Sequence, residues 1–350
     1  MKHKLKMILR QAWARLLYHS GLHVLLSACM PRRLTILTSH CVRHPSNRFL
    51  PEDMKISAPH LGGLLDRFGK HYDWVNVGEG WNRLQAGKGR SMLALAMDDG
   101  YHDNLEVLQP LLAERGLSAT VYLESRPLDG RELNWTHKFF WLLGQQSAAE
   151  LVQGYQRLSA DAVGKARLRV VLAESGRLEY TLKKVLKYEA DQSDVERTLS
   201  ALFVEAGGDE AALCAELYLS WDDARALQEA GIELGGHTVH HWVLSGLNAS
   251  EQLEEVRAGK QRLEESLAPL SSFAYPFGRH WDWNSESVEA VRQAGFRTAT
   301  TTHAGANSAS SDPMRLKRWM IDDGTPLHLL ACEACGGFDL LRRFGLDLSE

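Results

Sequence analysis

Three stretches of this 350-residue chain repeat one pattern: an amphipathic helical run, a glycine, then a short apolar run. Leu111-Leu112-Ala113-Glu114-Arg115-Gly116 leads into residues 118–123, Ala226-Leu227-Gln228-Glu229-Ala230-Gly231 into 232–234, and Val291-Arg292-Gln293-Ala294-Gly295 into 296–300. Glycine accepts the left-handed backbone that closes a helix, after which the chain can enter a strand. Repeated units of this kind predict parallel strands joined by crossover helices. Apolar runs at 34–38, 93–97 and 272–275 read as further strands. The fold class is therefore α/β.

Between about 138 and 218 the alternation stops. That segment is rich in Leu, Ala, Glu, Lys and Arg, as in Tyr180-Thr181-Leu182-Lys183-Lys184-Val185-Leu186, and predicts several helices. It reads as a helical insertion, which either caps one side of the site or is a solvated elaboration. A new helix is expected to start at Ser220-Trp221-Asp222-Asp223.

Residues 1–30 form a separate N-terminal amphipathic helix, ahead of a barrel domain over 31–350. Leu9, Trp13, Leu16, Leu17 and Val24 fall roughly on one face, with Lys2, Lys4, Lys6 and Arg10 at the start. Such a helix can pack on the domain or lie on an anionic membrane surface. Leu25-Leu26-Ser27-Ala28-Cys29 has the look of a lipoprotein cleavage box, but Arg10, Arg15, His19 and His23 interrupt the apolar run that a signal segment needs.

Composition changes this picture little. The chain is 44% hydrophobic and 24% charged with a net charge of -4, so its overall electrostatics give no reason to expect a nucleic-acid partner. Its five cysteines include one Cys-x-x-Cys, Cys332 and Cys335, without two further ligands at zinc-site spacing. Reduced thiols in a cytoplasmic protein are expected, with the inner membrane face a place of contact for the basic helix.

The chemistry concentrates just after predicted strands. Asp98-Asp99-Gly100-Tyr101 follows 93–97; His237, within Gly235-Gly236-His237-Thr238-Val239-His240-His241, follows 232–234; and Tyr275-Pro276-Phe277-Gly278 continues 272–274. In βα barrels the loops after the strands share one face, so these distant segments should meet. An Asp-Gly turn alone would be ordinary. Two buried carboxylates, however, need a compensating cation or hydrogen bonds. His237 and His241 stand four apart, a spacing that one helical turn would bring to one side. Two imidazoles and a carboxylate with open positions suit a catalytic zinc-type site. Thr238 stands where H-E-x-x-H proteases carry their glutamate base, and His240 should point elsewhere.

In these segments the chain resembles the NodB-like polysaccharide deacetylases, grouped with carbohydrate esterase family four. Their T-F-D-D-G-Y motif matches Asp98 to Tyr101 in its last four positions, their H-S/T-x-x-H motif matches His237 to His241, and R-x-P-Y-G appears as Ala274-Tyr275-Pro276-Phe277-Gly278. The motifs keep their order over roughly 34–321, and Phe273-Ala274-Tyr275-Pro276-Phe277-Gly278 with the later Leu316-Lys317-Arg318 points to the exopolysaccharide and surface-glycan subgroup. The resemblance implies a distorted (β/α)7-type barrel, the NodB homology fold. It also implies a divalent metal ion, zinc being expected, held by Asp99, His237 and His241. Asp98 would be the general base, the Phe277 backbone N–H the oxyanion donor, and an acetylated glycan the substrate. Thr238 is a candidate hydrogen-bond partner behind the ligands.

Two departures stand out. Ala274 replaces the motif-three arginine that orients the base, with Arg318 a candidate substitute. The late motif carrying the general acid is not clear, which leaves His40, His137, His303 and His328 as candidates. Among the tryptophans (Trp135, Trp141, Trp242, Trp281 and Trp283), Trp281 and Trp283 follow the Phe277 turn and could wall a sugar subsite. The activity implied is hydrolysis of N-acetyl or O-acetyl groups on a polysaccharide or lipid-linked glycan. The alternatives are a non-catalytic glycan-binding homologue and an amidase acting on another non-peptide C–N bond.

Overall fold

The computed structural model describes residues 2–87, 89–129, 132–173, 178–346 and 348. Its strands are β1 (Leu34–Ser39), β2 (Cys41–Val42), β3 (Lys55–Ile56), β4 (Asp73–Val75), β5 (Met92–Met97), β6 (Thr120–Leu123), β7 (Glu233–Gly236), β8 (Ser272–Ala274), β9 (Thr298–Thr300) and β10 (Arg318–Met320). The main sheet runs β10-β1-β5-β6-β7-β8-β9 with every pair parallel, and β4 lies beside the start of β5. β2 and β3 pair separately. The circuit closes where β9 meets the segment before β10: Leu316 N–H donates to Ala299 O and Thr301 N–H to Leu316 O, both at 2.8 Å. The expected distorted (β/α)7-type barrel is the fold observed.

Alternation within strands explains the closure. Ile36, Ala94, Ala96, Tyr122, Ala274 and Leu316 share the barrel interior. Leu37, Leu93, Leu95, Met97, Val121 and Leu123 face the outer helices. Small alanines inside let seven strands close on one another, while the leucines outside bury the helices. The three predicted helix-closing glycines, Gly116, Gly231 and Gly295, all have positive φ, at 63°, 84° and 85°. Ser220 caps the helix Trp221–Glu229 in a reciprocal box with Asp223.

The helical segment comprises Trp135–Gln145, Ala148–Leu158, Ala162–Ala173, Leu178–Tyr188, Gln192–Glu205 and Glu210–Leu217. It has its own apolar centre around Phe139, Leu151, Tyr155 and Leu199, against which Trp242 and Phe277 of the barrel loops also pack. The insertion therefore leans on the loops after β7 and β8.

At the N-terminus the single expected helix is two, Lys2–His19 and Leu22–Cys29, broken at Gly21 with φ 76°. The expected single apolar face is also divided. Ala14 and Leu17 are buried, and Trp13 donates its indole N–H to Gly337 O at 3.1 Å. Leu9 and Leu16, by contrast, are 48% and 56% exposed. Among the described residues no helix is long and apolar enough to cross a membrane. All five cysteines are unpaired, and Cys332 and Cys335 are buried.

Candidate metal and hydrolytic site

Asp98 still belongs to the β5 ladder, its N–H donating to Ser39 O at 3.2 Å, whereas Asp99 turns away with φ 71° and Gly100 repeats that value. The strand end thus splits two adjacent carboxylates into different environments. Asp98 faces Arg318 across the barrel, with Nη1 2.6 Å from Oδ1. Arg318 comes from β10, lies fully buried, and donates its Nε–H to Thr301 O at 2.9 Å. Arg318 supplies the guanidinium that Ala274 cannot.

Asp99 meets the two imidazoles. Its Oδ1 lies 3.4 Å from His237 Nε2 and 3.5 Å from His241 Nε2. The histidines do not sit on a helical turn, as their spacing suggested. They lie in the irregular loop after β7, where Thr238 and His241 have φ values of 68° and 56°. Left-handed backbone folds the loop back on itself, and the Thr238 hydroxyl fixes it by accepting the His241 N–H at 3.1 Å. Glu255 secures the outer side by accepting the N–H groups of Val239 and His240 and pairing with the His240 ring, so His240 is no ligand.

Behind Asp99 runs a chain of hydrogen bonds that sequence reading missed. Tyr101 O–H donates to Asp99 Oδ2 at 2.8 Å, and His137 Nε2 lies 2.6 Å from the same phenol oxygen. With the Tyr101 proton committed to the carboxylate, His137 Nε2 must be the donor. Its Nδ1 is then the acceptor for Tyr218 O–H. All the donors point towards Asp99, which fixes Oδ2 and leaves Oδ1 towards the imidazoles. Burial pulls the fully enclosed His137 down to about 4, in keeping with a neutral ring.

The donor set fits a metal ion. The ligand atoms of Asp99, His237 and His241 lie within 4.8 Å of one another. His237 Nδ1 lies 2.7 Å from Ala274 O, so Nδ1 carries the proton and Nε2 offers its lone pair inward. Asp99 Oδ1 is buried with no hydrogen-bond partner among the described residues. A buried carboxylate oxygen left in that state costs stability unless a cation completes it. Burial opposes charge on Asp99, but the His237 contact and the fields of His241 and His40 hold its carboxyl well below the usual range.

The four candidate acids separate clearly. His40 directly follows β1, whose Ser39 pairs with Met97, the residue before Asp98; its Nδ1 is buried without a hydrogen-bond partner among the described residues. His137 is committed to the tyrosine chain. His303 stacks on His280 at 5.8 Å, and His328, on the helix Leu327–Cys335, contacts Gln11 at 2.5 Å.

The loop after β8 puts Phe277 at φ 60°, with its ring edge-on to His241 at 4.5 Å between centroids. Trp283 props the turn, stacking on Tyr275 at 5.2 Å and donating to Gly278 O at 3.3 Å, so it is structural. Trp281 is 47% exposed at the rim. Trp135 and Trp141 pack inside the insertion, and Trp242 stacks on His240. Two lysines of the helix Leu178–Tyr188 also reach this region and carry no sequence motif. Burial lowers Lys183 to about 8 against the upward pull of Asp53 and Asp99, and lowers Lys187 to about 7 against Asp282.

Known proteins converge on one class. The family model described as polysaccharide deacetylase matches residues 190–299, an interval holding both imidazoles and the Phe277 turn. Together with the Asp98-Asp99 strand end and the barrel, this match makes the chain similar to the NodB-like polysaccharide deacetylases. YxkH of Bacillus subtilis (strain 168), which carries the name of a polysaccharide deacetylase, is 26% identical over 108 residues, 31% of this chain and 38% of that protein. Two solved structures share the fold. The deacetylase PplD of Streptococcus pyogenes, in complex with acetate, superposes with a TM-score of 0.56 at 15% identity, covering 87% of this chain and 99% of that one. IcaB from Ammonifex degensii gives 0.51 at 16% identity over 87% and 97%.

Proposed function

We propose that this protein is a metal-dependent hydrolase that removes acetyl groups, N- or O-linked, from a polysaccharide or lipid-linked glycan. The observation that carries this reading is the three convergent ligand atoms of Asp99, His237 and His241, within 4.8 Å, beside the buried Asp98–Arg318 pair. A divalent ion held there, with zinc suited to two imidazoles and a carboxylate, would supply a Lewis acid and lower the pKa of water. The remaining work falls to this chain's own groups. Asp98, kept in place by Arg318, takes the proton of the attacking water. The Phe277 N–H donates to the oxygen that gains charge as the carbonyl carbon becomes tetrahedral. His40 hands a proton to the departing nitrogen as the C–N bond breaks, giving acetate and a free amine.

Metal analysis of the purified protein, joined to acetate release across a panel of acetylated glycans, tests the reading. Wild-type turnover that disappears in Asp98→Asn is the expected result. Turnover surviving that substitution would refute the assigned base. Metal and glycan binding without turnover would favour a binding protein, and release of another acyl group from nitrogen would favour an amidase.

We also propose that the paired N-terminal helices rest on an anionic membrane surface, which would bring the site to membrane-borne glycans. Leu5, Ile8, Leu9, Leu16, Leu22 and Leu25 are exposed, although Ala14 and Leu17 of the same pair are buried. No acidic residue precedes Glu52, and the exposed Arg15 lies beside Leu16 in the same helix, while Arg10 turns inward over Trp319 and Phe338. Apolar insertion and attraction to anionic headgroups therefore act together on this surface.

A further inference from the structure

The motif-three turn is held from outside the barrel. Lys187, in the helix Leu178–Tyr188 of the insertion, is 8% exposed and places Nζ 3.5 Å from the centre of the Phe277 ring. The same Nζ lies 3.0 Å from Asp282 Oδ1. Asp282 is buried five residues after Phe277, and it accepts from Tyr188 O–H at 2.8 Å and from Arg279 N–H at 2.9 Å. Trp281 then donates its indole N–H to Tyr188 Oη at 2.8 Å. One turn of an insertion helix is thus knitted to both ends of the segment 277–282.

The turn needs such support. Phe277 is a bulky residue in the left-handed region, at φ 60°, a conformation that costs free energy unless the surroundings over-determine it. Within its own loop, Thr302 donates its hydroxyl to Phe277 O at 3.0 Å, which fixes the carbonyl side. On the ring side stand the metal-ligand candidate His241 and Lys187. Relaxing φ to an ordinary value would swing the ring away from both and redirect the backbone N–H.

We propose that Lys187 is a positioning residue for the oxyanion turn: anchored on Asp282, it holds the Phe277 ring and thereby aims the Phe277 N–H at the reacting carbonyl. The inference rests on the deacetylase reading above and makes the helical insertion a working part of the site. Lys187 acts through Asp282 and the Phe277 ring, and its Nζ donates to Asp282 as ammonium or as amine.

The test compares Lys187→Met, Lys187→Arg and the double variant Lys187→Met/Asp282→Asn with wild type. The double variant removes the buried carboxylate charge together with its partner, so it is expected to melt near wild type while lacking the strut. Backbone hydrogen exchange of a peptide spanning 274–283, measured on metal-free protein, is expected to speed up about 10-fold in Lys187→Met and in the double variant. A 1 Å misplacement at a reacting centre can cost on the order of 100-fold. A loosened donor should accordingly lower kcat roughly 10-fold or more, at unchanged KM and zinc affinity. Lys187→Arg should recover part of both effects. Wild-type exchange in the double variant, or wild-type kcat, would overturn the proposal. If no acetylated substrate is turned over by wild type, the exchange measurement still decides the positioning claim, and the fault lies with the deacetylase reading.

Discussion

Arg318 Nη1 stands 2.6 Å from Asp98 Oδ1, joining residues 220 positions apart inside the barrel. The guanidinium reaches Asp98, the proposed base, from β10 and not from motif three, where this chain carries Ala274. Arg318→Ala is expected to lower kcat at least 10-fold and to cost several kcal/mol of stability, because it strands a buried carboxylate. Zinc affinity should stay near wild type, since Arg318 touches no ligand. Restoring the motif-three position, in Arg318→Ala/Ala274→Arg, should regain part of kcat. Steady-state kinetics and thermal melting check both; an inert Arg318→Ala would remove the arginine from the site.

The orphaned Asp99 Oδ1 would make the proposed metal a stability matter as well as a catalytic one. A ligand that binds only the folded state adds about 2.7 kcal/mol at 100-fold excess over its Kd. Zinc is expected to raise the melting temperature of the stripped protein, and Asp99→Ala or His241→Ala should abolish that rise. Calorimetric scans with and without zinc measure it directly. An equal rise in the ligand variants would place the metal elsewhere.

Much of this site was legible because its signals are local. The helix-closing Gly116, Gly231 and Gly295, and the apolar runs ending at Asp98 and His237, report their conformation within a few residues. The pairing of β1 with β10 leaves no such periodic trace, so Arg318 could be a candidate but not an assignment. The i, i+4 spacing of His237 and His241 misled for a physical reason. Left-handed Thr238 and His241 bring the rings together without a helix, and non-glycine residues do not advertise positive φ. Lys187 was invisible in the same way, because its partner Asp282 lies 95 positions later and a lysine on a helix is ordinarily solvated.

His137 gives the metal-free protein a pH signature. The folded chain holds its ring neutral, lowered by burial from 6.5 to about 4, so the unfolded chain binds the extra proton between those values. The stabilisation from the neutral ring is complete above pH 6.5 and is lost as pH falls through 4. Urea unfolding of wild type and His137→Gln should therefore differ increasingly from pH 4 to 6.5, by up to about 3 kcal/mol, and by a constant amount above. A difference independent of pH would mean that the ring is not the neutral link between Tyr218 and Tyr101.

The N-terminal surface predicts lipid selectivity. Ile8→Glu/Leu16→Glu changes two exposed positions and leaves the buried Ala14 and Leu17 untouched. Wild type should sediment with phosphatidylglycerol vesicles more than with phosphatidylcholine vesicles, and less as salt rises. The double variant should stay in solution, with unchanged hydrolysis of a soluble substrate. If wild type ignores both vesicles but dimerises through this stripe, the surface is a protein contact and the membrane proposal fails.

His40 can be tested through the leaving group. An amine departs poorly without a proton, whereas an activated phenol departs readily, so a general acid matters for the first and little for the second. His40→Gln is expected to lower acetate release from N-acetylated glycan by about 100-fold, within the range general acids contribute, while 4-nitrophenyl acetate hydrolysis falls only slightly. Asp98→Asn should depress both, because both need an activated water. A parallel loss on both substrates in His40→Gln would make His40 a group that shapes the Asp98–Asp99 environment, and the proton for the amine would then have to come from elsewhere.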